Sequence, residues 1–279
     1  MALEQPRIRL NDGNDIPQLG FGVWRLPERD APAIVGEALR VGYRHIDTAQ
    51  GYDNEAGVGE AVKRAEVPRA EIFVTSKLRT RDQGYDNARR SFEASLERLG
   101  LEVMDLFLIH WPVPAQDKYA ETWKAFVDLQ KEGPVRSIGV SNFLPEHLER
   151  IIGETGVTPA VNQIELHPYY QQRDVRDYHA QKGIAIESYS PLGSGAVIGD
   201  ETIAEIGRKH GKSAGQTIIR WHLQQGLIVL PKTATQSRVG ENFEVFDFEL
   251  DADDMARIDA LDRPDGKTLT PPERMNNVF

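Results

Sequence analysis

The chain of 279 residues contains no cysteine, which excludes disulfide bonds, thiolate zinc sites, iron–sulfur clusters and a cysteine nucleophile. It also lacks an excess of positive charge, because 33 lysines and arginines are outnumbered by 43 aspartates and glutamates, for a formal net charge of -10. This balance argues against a general nucleic-acid or anionic-membrane binder. A local basic pocket for one phosphorylated ligand stays compatible with it.

Long apolar runs are missing as well. The first residues, Met1–Arg7, contain no apolar stretch that could act as a secretion signal. The richest apolar stretch, Val103–Ile109, is interrupted by Asp105, and nothing approaches the roughly 18 apolar residues that a membrane-spanning helix requires. We therefore expect a cytoplasmic protein without a membrane segment.

The histidines show no metal-binding pattern. None of the seven belongs to an HExxH or HxH motif. His45 and Asp47 would face the same side of one strand, but no third ligand follows at a comparable spacing. We interpret His45 as structural, predict no metal site and disfavour a metal-dependent barrel hydrolase.

Short apolar segments alternate with helical patterns along the chain. Eight such repeats in roughly 250 residues predict an α/β fold with a parallel sheet, a (β/α)8 TIM barrel forming one domain over residues 1–279. The predicted strands are Gly20–Val23, His45–Thr48, Ile72–Ser76, Asp105–Ile109, Ser137–Val140, Ala160–Ile164, Ala185–Ser188 and Leu227–Leu230. The predicted helices include Ala31–Val41, Glu55–Arg64, Glu146–Ile152, Val175–Gln181, Thr202–Lys209, Ala214–Gln224 and Asp251–Leu261, with further helical spacing around Phe92 and Trp123.

The two ends of the chain differ from this repeat. Turn residues at Asn11–Asn14 between two alternating segments predict an N-terminal β-hairpin. The polar tail from Asp262 to Phe279 has no helical period. Its pattern leaves open whether the tail is disordered or forms an ordered flap.

Polar side chains follow the predicted strands. Because the carboxyl ends of barrel strands meet at one face, and that face carries the chemistry of TIM barrels, we expect these residues to lie near one another. They are Asp47, Lys77, His110, Ser141, Asn142, Gln163, Tyr189 and Lys232.

Tyr52 lies in the loop after Asp47 and is the candidate proton donor. A phenol is a weak acid, with a pKa of about 10, and a nearby Lys77 ammonium would lower this pKa. Asp47 would fix the ammonium, and His110 could orient a carbonyl oxygen or share its proton. The four residues together predict general-acid catalysis with electrostatic stabilisation. Composition alone favours the structural alternative, an Asp47–Lys77 ion pair with a loop tyrosine and a core histidine, because such ion-pair networks are common.

Six segments resemble the aldo-keto reductase family, in order and at the family's spacing between Ile8 and Leu261. The bacterial 2,5-diketo-D-gluconate reductases in particular share Asn11–Asn14, Val161–Pro168 and Phe246–Phe248. The six segments are Gly42–Ala49 (followed by Tyr52 and Glu55), Thr75–Leu78, Leu108–Pro112, Arg136–Phe143, Val161–Glu165 and Ile228–Thr233.

This resemblance implies a monomeric NADPH-dependent reductase of aldehydes and ketones. Tyr52 would be the general acid, Lys77 would depress its pKa, Asp47 would pair with Lys77, and His110 would orient the carbonyl. The C-terminal tail would form a loop over the active-site face. Candidate substrates are 2,5-diketo-D-gluconate, related keto acids and dicarbonyls. A barrel that binds the cofactor only as a sensor or scaffold is the alternative, which the presence of all four residues disfavours.

The resemblance also implies the cofactor contacts. The glycines of the loop after Tyr189 have the spacing GxGxxxG, which differs from the dinucleotide-binding GxGxxG of a Rossmann fold. The family instead packs this loop over the pyrophosphate. The implied contacts are Ser141, Asn142 and Gln163 to the nicotinamide carboxamide, Tyr189 stacked on its ring, Ser190, Leu192 and Gly193 in the pyrophosphate loop, and Lys232, Thr233, Arg238 and Asn242 at the 2′-phosphate and adenine.

Two departures from the family concern specificity. Thr235 stands where close relatives often carry a second arginine, so some use of NADH is expected beside NADPH. Arg79 stands where many relatives have tryptophan, and an arginine there could attract a substrate carboxylate or could point to solvent. Trp24 and Trp111 are expected to wall an apolar substrate pocket, although barrel-rim packing would use them equally well.

Overall fold

The computed structural model describes residues 5–279. Residues 1–4 lie outside this range, and with them most of the segment Met1–Arg7 in which no secretion signal is expected. Within residues 5–279, no helix has both the length and the apolar character needed to cross a bilayer.

The described chain begins with the predicted hairpin. Strands β1 (Arg7–Arg9) and β2 (Asp15–Pro17) pair antiparallel, and Gly13 takes the positive φ of 89° that the turn between them needs. Leu10 and Ile16 are buried together with apolar side chains from the barrel strands. The hairpin therefore covers the amino-terminal end of the barrel.

Eight parallel strands form the sheet, and their spatial order follows the chain. All eight predicted strands are confirmed, with boundaries shifted by a few residues. They are β3 (Phe21–Gly22), β4 (His45–Asp47), β5 (Phe73–Leu78), β6 (Met104–Ile109), β7 (Val135–Ser141), β8 (Val161–Glu165), β9 (Ala185–Tyr189) and β10 (Ile228–Val229).

Contacts between the first and last strands close the sheet. The amide of Gly20 donates to the carbonyl of Val229 at 2.9 Å, and the amide of Gly22 donates to Pro231 at 3.1 Å. A Cβ at position 20 would lie 2.4 Å from the Leu230 side chain and 2.7 Å from the buried His45 ring, so a larger residue there would force these side chains to shift. The (β/α)8 barrel is thus confirmed.

Helices surround the barrel and bury one apolar face each. Val35 and Leu39 of the first helix, for example, are fully buried against the sheet, as amphipathic periodicity predicts. The helices are α1 (Ala31–Val41), α2 (Glu55–Arg64), α3 (Tyr85–Leu99), α4 (Tyr119–Glu132), α5 (Pro145–Thr155), α6 (Arg173–Lys182), α7 (Glu201–His210), α8 (Ala214–Gln224), α9 (Gln236–Phe243) and α10 (Ala252–Asp259).

The tail after α10 is an ordered flap, which decides between the two possibilities that its sequence leaves open. Its backbone begins against the barrel, where the amide of Arg263 donates to the carbonyl of Tyr169 at 3.2 Å. It contains one short 3₁₀ turn, Pro272–Arg274. Its end reaches the loop after β5, where the amide of Arg81 donates to the carbonyl of Phe279. The tail therefore crosses the carboxyl-terminal face of the barrel.

Candidate active site

Asp47 and Lys77 form a buried ion pair at the carboxyl ends of adjacent strands. Strands β4 and β5 place Asp47 opposite Thr75. Lys77 is two residues further along β5, so its side chain points to the same side of the sheet as that of Thr75. Its Nζ lies 2.7 Å from both carboxylate oxygens of Asp47 and 2.9 Å from the carbonyl of Thr48. The Lys77 side chain is 0% exposed, so the protein alone supplies these contacts.

Tyr52 and His110 complete the cluster. A 3₁₀ turn after β4, Gln50–Tyr52, carries the phenol back over the strand ends, and its Oη lies 3.5 Å from Lys77 Nζ. The Tyr52 ring meets the His110 ring edge-to-face, with centroids 5.8 Å apart. The structure therefore brings together the four residues that the sequence predicts to act as one unit.

Burial decides the protonation states in this cluster. Burial raises the pKa of the Tyr52 phenol, and Lys77 lowers it, as predicted, but by less than burial raises it. Burial, together with Lys77, holds the pKa of His110 well below its usual value. Burial also opposes the charge on Lys77, but Asp47 and Tyr52 more than offset this and raise its pKa. At neutral pH the site holds a protonated phenol, an ammonium and a neutral imidazole.

Gln163 continues the cluster across the barrel. Its Nε2 donates to Asp47 Oδ2 at 2.9 Å and to Glu187 Oε2 at 2.5 Å. Its Oε1 accepts no hydrogen bond from residues 5–279. Glu187 is absent from the sequence prediction, although an acidic residue in the middle of an apolar strand, β9, is a signal that could have indicated it.

Ser141, Asn142 and Tyr189 form a second group beside Gln163. Ser141 Oγ donates to the Gln163 carbonyl at 2.9 Å, and Asn142 Nδ2 donates to the His110 carbonyl at 3.1 Å. The Tyr189 hydroxyl donates to Asn142 Oδ1 at 2.7 Å. Asn142 has a φ of 63°, a left-handed conformation that asparagine tolerates better than most residues. These contacts fix the side chains predicted to hold a nicotinamide group.

The backbone of the loop after β9 turns tightly. Ser190 has a positive φ of 48°, and its carbonyl accepts from the Gly193 amide at 2.8 Å. Gly193 has a φ of 56°, and a Cβ there would lie 2.6 Å from Val197, so only glycine fits. Leu192 precedes the single 3₁₀ turn of this loop, Gly193–Gly195.

A basic surface follows β10. Lys232 bridges to Gly22 across the barrel closure, and Arg238 is the third residue of α9. No carboxylate of the described residues lies within ion-pair distance of Lys232, Arg238 or Arg25. Burial and the positive charge of Arg25 lower the pKa of Lys232. Arg25, which the sequence prediction missed, thus adds to a local positive charge that lacks a counter-ion from residues 5–279.

Two further predicted cofactor residues lie beside this surface. Thr233 is largely buried, and its hydroxyl accepts from the Thr235 amide at 3.0 Å. Asn242 lies buried on α9. The hydrogen bond to the Thr233 hydroxyl therefore helps to shape the turn that leads into α9.

Arg79 differs from the expected geometry. Its Nε donates to the Gln50 carbonyl at 2.9 Å, and its Nη2 pairs with Asp53. The guanidinium is therefore directed toward the Gln50 carbonyl and the exposed Asp53 carboxylate, which would compete with a substrate carboxylate for it. The acidic Asp53 next to Tyr52 is the feature that the sequence interpretation did not take into account.

The two predicted tryptophans of the pocket have different surroundings. Trp24 is 38% exposed and carries the Arg25 guanidinium 4.1 Å above its ring. Trp111 is half-buried and accepts from Gln83 through its backbone carbonyl at 2.7 Å. Both follow the carboxyl ends of barrel strands, as the sequence predicts.

The flap brings an aromatic ring to the same face. The Phe279 amide donates to Thr80 Oγ1 at 2.8 Å, and the Phe279 ring meets the His110 ring edge-to-face, with centroids 5.6 Å apart. At the start of the flap, Glu165 accepts from the Thr268 amide and hydroxyl, both at 2.7 Å. The flap is therefore anchored on both sides of the acid–base cluster.

These features define a barrel enzyme whose site combines an acid–base cluster with a nearby basic surface. Within residues 5–279, no group of three or more histidines and carboxylates could hold a metal ion.

Comparisons with known proteins identify the family. The profile of the aldo/keto reductase family matches residues 18–263, and the chain belongs to this family, an oxidoreductase family, as its motifs predict. Methylglyoxal reductase DkgA of Salmonella typhimurium is 51% identical over 266 residues, which cover 95% of each chain.

Solved structures agree with this assignment. A crystal structure of a Gox0644 mutant in complex with NADPH is 50% identical, with a TM-score of 0.94, and the match covers 97% of this chain and 98% of that one. A structure provisionally named 2,5-diketo-D-gluconic acid reductase B is 38% identical, with a TM-score of 0.91 over 97% and 95% of the two chains. The predicted similarity to this bacterial branch is thus confirmed.

Proposed function

We propose that this protein reduces aldehydes and ketones with NADPH, using Tyr52 as the proton donor. The observation that carries the proposal is the fully buried Lys77 ammonium between the Asp47 carboxylate and the Tyr52 hydroxyl. A purely structural ion pair needs no phenol at its open end. A proton donor needs a cation there, because the phenolate left after transfer must be stabilised.

The residues of the cluster then have separate tasks. Tyr52 gives its proton to the carbonyl oxygen as negative charge develops on that oxygen. Lys77 stabilises the resulting phenolate, and Asp47 keeps the ammonium in place. The neutral His110 orients the carbonyl by hydrogen bonding. When bound, NADPH supplies the hydride that reduces the carbonyl carbon.

The chain offers suitable groups for that cofactor. Ser141, Asn142 and Gln163 would hold the nicotinamide carboxamide, and the free Gln163 Oε1 is an acceptor for its N–H. The uncompensated charges of Lys232, Arg238 and Arg25 suit phosphate groups. Some use of NADH follows from Thr235, which supplies no further positive charge.

Small dicarbonyls are the substrates that the site favours. The relative from Salmonella is named for methylglyoxal, and the Arg79 guanidinium, which could have attracted a keto acid, is occupied by Asp53. The Phe279 ring beside His110 also narrows the site. Keto-sugar acids such as 2,5-diketo-D-gluconate are the second candidates, on the basis of the similar reductase B.

The decisive experiment measures the loss of NADPH absorbance with methylglyoxal, an aromatic aldehyde and a keto-sugar acid. Tyr52→Phe should lower kcat by at least about 100-fold. Tyr43→Phe is the matched control, because the Tyr43 hydroxyl is buried in the core without a partner from residues 5–279, and it should leave kcat unchanged. Turnover that survives in Tyr52→Phe contradicts the proton-donor role.

NADPH binding without turnover on any carbonyl would instead favour the sensor or scaffold alternative. A monomeric state, a cytoplasmic location and a single domain over residues 1–279 stay predictions. Gel filtration at several concentrations would test the first of these.

A further inference from the structure

Glu187 is a buried acid that the proposed mechanism does not use. It lies in the middle of β9 and is 0% exposed. Its Oε2 accepts from Gln163 Nε2 at 2.5 Å, and its Oε1 lies 3.4 Å from His45 Nε2. A carboxylate removed from water this completely is costly to ionise unless a cation compensates it.

The strands around Glu187 offer it no cation of its own. On β4 it faces Asp47 and His45, on β5 it faces Lys77, and on β8 the uncharged Gln163. Lys77 already contacts both oxygens of Asp47, and burial lowers the pKa of His45 to about 3, so His45 is neutral. Strand β10, the other neighbour of β9, contributes only Ile228 and Val229. Two carboxyl groups therefore share one ammonium.

The protonation state follows from this imbalance. Burial, followed by the negative charge of Asp47, raises the pKa of Glu187 to about 8. At neutral pH Glu187 is a neutral acid, so the Asp47–Lys77 pair keeps zero net charge. Ionised Glu187 would add a negative charge that raises the pKa of Tyr52 further.

Gln163 connects Glu187 to the site. Both N–H bonds of its Nε2 are used, one on Asp47 and one on Glu187. An amide held at both N–H positions cannot rotate, so its Oε1 has a fixed direction. Without Glu187, the amide would keep one anchor and could turn about it.

We propose that Glu187 is a positioning residue of the reductase: it locks the Gln163 amide for the nicotinamide group and leaves the Lys77 ammonium to Asp47 and Tyr52. This inference rests on the proposed function, because its readouts are NADPH binding and hydride transfer. Glu187 itself touches neither substrate nor cofactor.

The first test measures NADPH affinity by quenching of tryptophan fluorescence. Glu187→Leu removes the acceptor and should weaken NADPH binding about fivefold to tenfold. Glu187→Gln keeps an acceptor oxygen and should bind within about twofold of the unaltered protein. In a Gln163→Leu background, Glu187→Leu should cause no further loss, because Glu187 acts through Gln163.

The second test is the pH dependence of hydride transfer, measured in single turnovers with NADPH saturating. In the unaltered protein the rate should fall severalfold as Glu187 ionises above about pH 8, because the added negative charge raises the pKa of Tyr52 and makes it a weaker proton donor. Glu187→Gln should lack this alkaline decrease. This arm decides the matter even where Glu187→Leu does not fold.

The outcomes separate the two proposals. Unaltered protein that binds no NADPH overturns the proposed function and this inference with it. Suppose instead that the unaltered protein binds NADPH and turns over normally. The role of Glu187 alone is then overturned if Glu187→Leu binds NADPH equally well, or if Glu187→Gln keeps the alkaline decrease in rate. A loss that persists in the Gln163→Leu background also contradicts it, since the effect would not pass through Gln163.

Discussion

Two buried aspartates at opposite ends of the barrel show how similar ion pairs serve different purposes. Asp47 ends β4 at the carboxyl face, and its partner Lys77 is 0% exposed. Asp105 lies at the start of β6, near the amino end, and its partners Arg69 and Arg136 are 35% and 53% exposed. Only in the first pair is the cation removed from water.

The contacts of each pair explain the difference. Asp105 accepts from the Val74 amide at 2.9 Å and from Arg69 at 2.7 Å, so it joins two strands and the loop that precedes them. Asp47 instead holds an ammonium whose other contacts are the Thr48 carbonyl and, at the open side of the site, the Tyr52 hydroxyl. Asp105 accepts a hydrogen bond from a buried backbone amide, whereas Asp47 holds the Lys77 ammonium in place. A buried carboxylate alone therefore does not indicate a catalytic site. The indication comes from the group that contacts the carboxylate's cationic partner, which here is the Tyr52 hydroxyl.

The largest expected effect is on catalysis at the carboxyl face. Lys77→Met removes the cation that stabilises a Tyr52 phenolate, and kcat/KM for methylglyoxal should fall by about 1,000-fold or more. Thermal unfolding should also show lost stability, because Asp47 is left buried without its partner.

The double variant Asp47→Asn/Lys77→Met separates these two consequences. It replaces the ion pair by uncharged groups of similar size, so stability should recover toward that of the unaltered protein while kcat/KM stays low. Recovery of activity in the double variant would show that the pair is structural and that the comparison with Asp105 fails.

A smaller effect, on stability alone, is expected at the amino end. Asp105→Ala leaves the buried Val74 amide without its acceptor and should lower the free energy of unfolding by about 2–3 kcal/mol. Asp105→Asn keeps an oxygen for that amide and should lose only about 1 kcal/mol. Urea unfolding measures both, and kcat should stay within about twofold of normal. A large loss of activity in folded Asp105→Ala would remove the distinction between the two ends.

The same comparison shows what the sequence could predict. The eight strands and most helices follow from local periodicity, which each segment carries by itself. The four acid–base residues follow from their positions at strand ends and from six family-like segments in order. These features are local in sequence or repeated at fixed spacing, so no knowledge of packing is needed to find them.

The features that the sequence could not predict depend on packing. The net pKa of Tyr52 depends on how deeply the phenol is buried, which no motif encodes. The pairing of Arg79 with Asp53 depends on the path of the loop after β4. Glu187 gains its importance only because β9 and β4 face each other across the barrel, where Gln163 spans between them.

The smallest expected effect concerns the flap, which approaches the acid–base cluster from outside. Thr80→Val removes the hydroxyl that accepts from the Phe279 amide, and Phe279→Ala removes the ring that packs on His110. Both should change KM for an aromatic aldehyde by about twofold to fivefold, because one hydrogen bond or one aromatic contact is worth about 1 kcal/mol. KM for methylglyoxal should change less, since a small dicarbonyl has less surface to bury against the ring.

Steady-state kinetics with both carbonyls test this expectation, and kcat for methylglyoxal is the internal control. Equal changes for both substrates would mean that the flap acts on His110 itself rather than on the space beside it. The flap would then affect catalysis itself, as Lys77 does, rather than only the space available to the substrate.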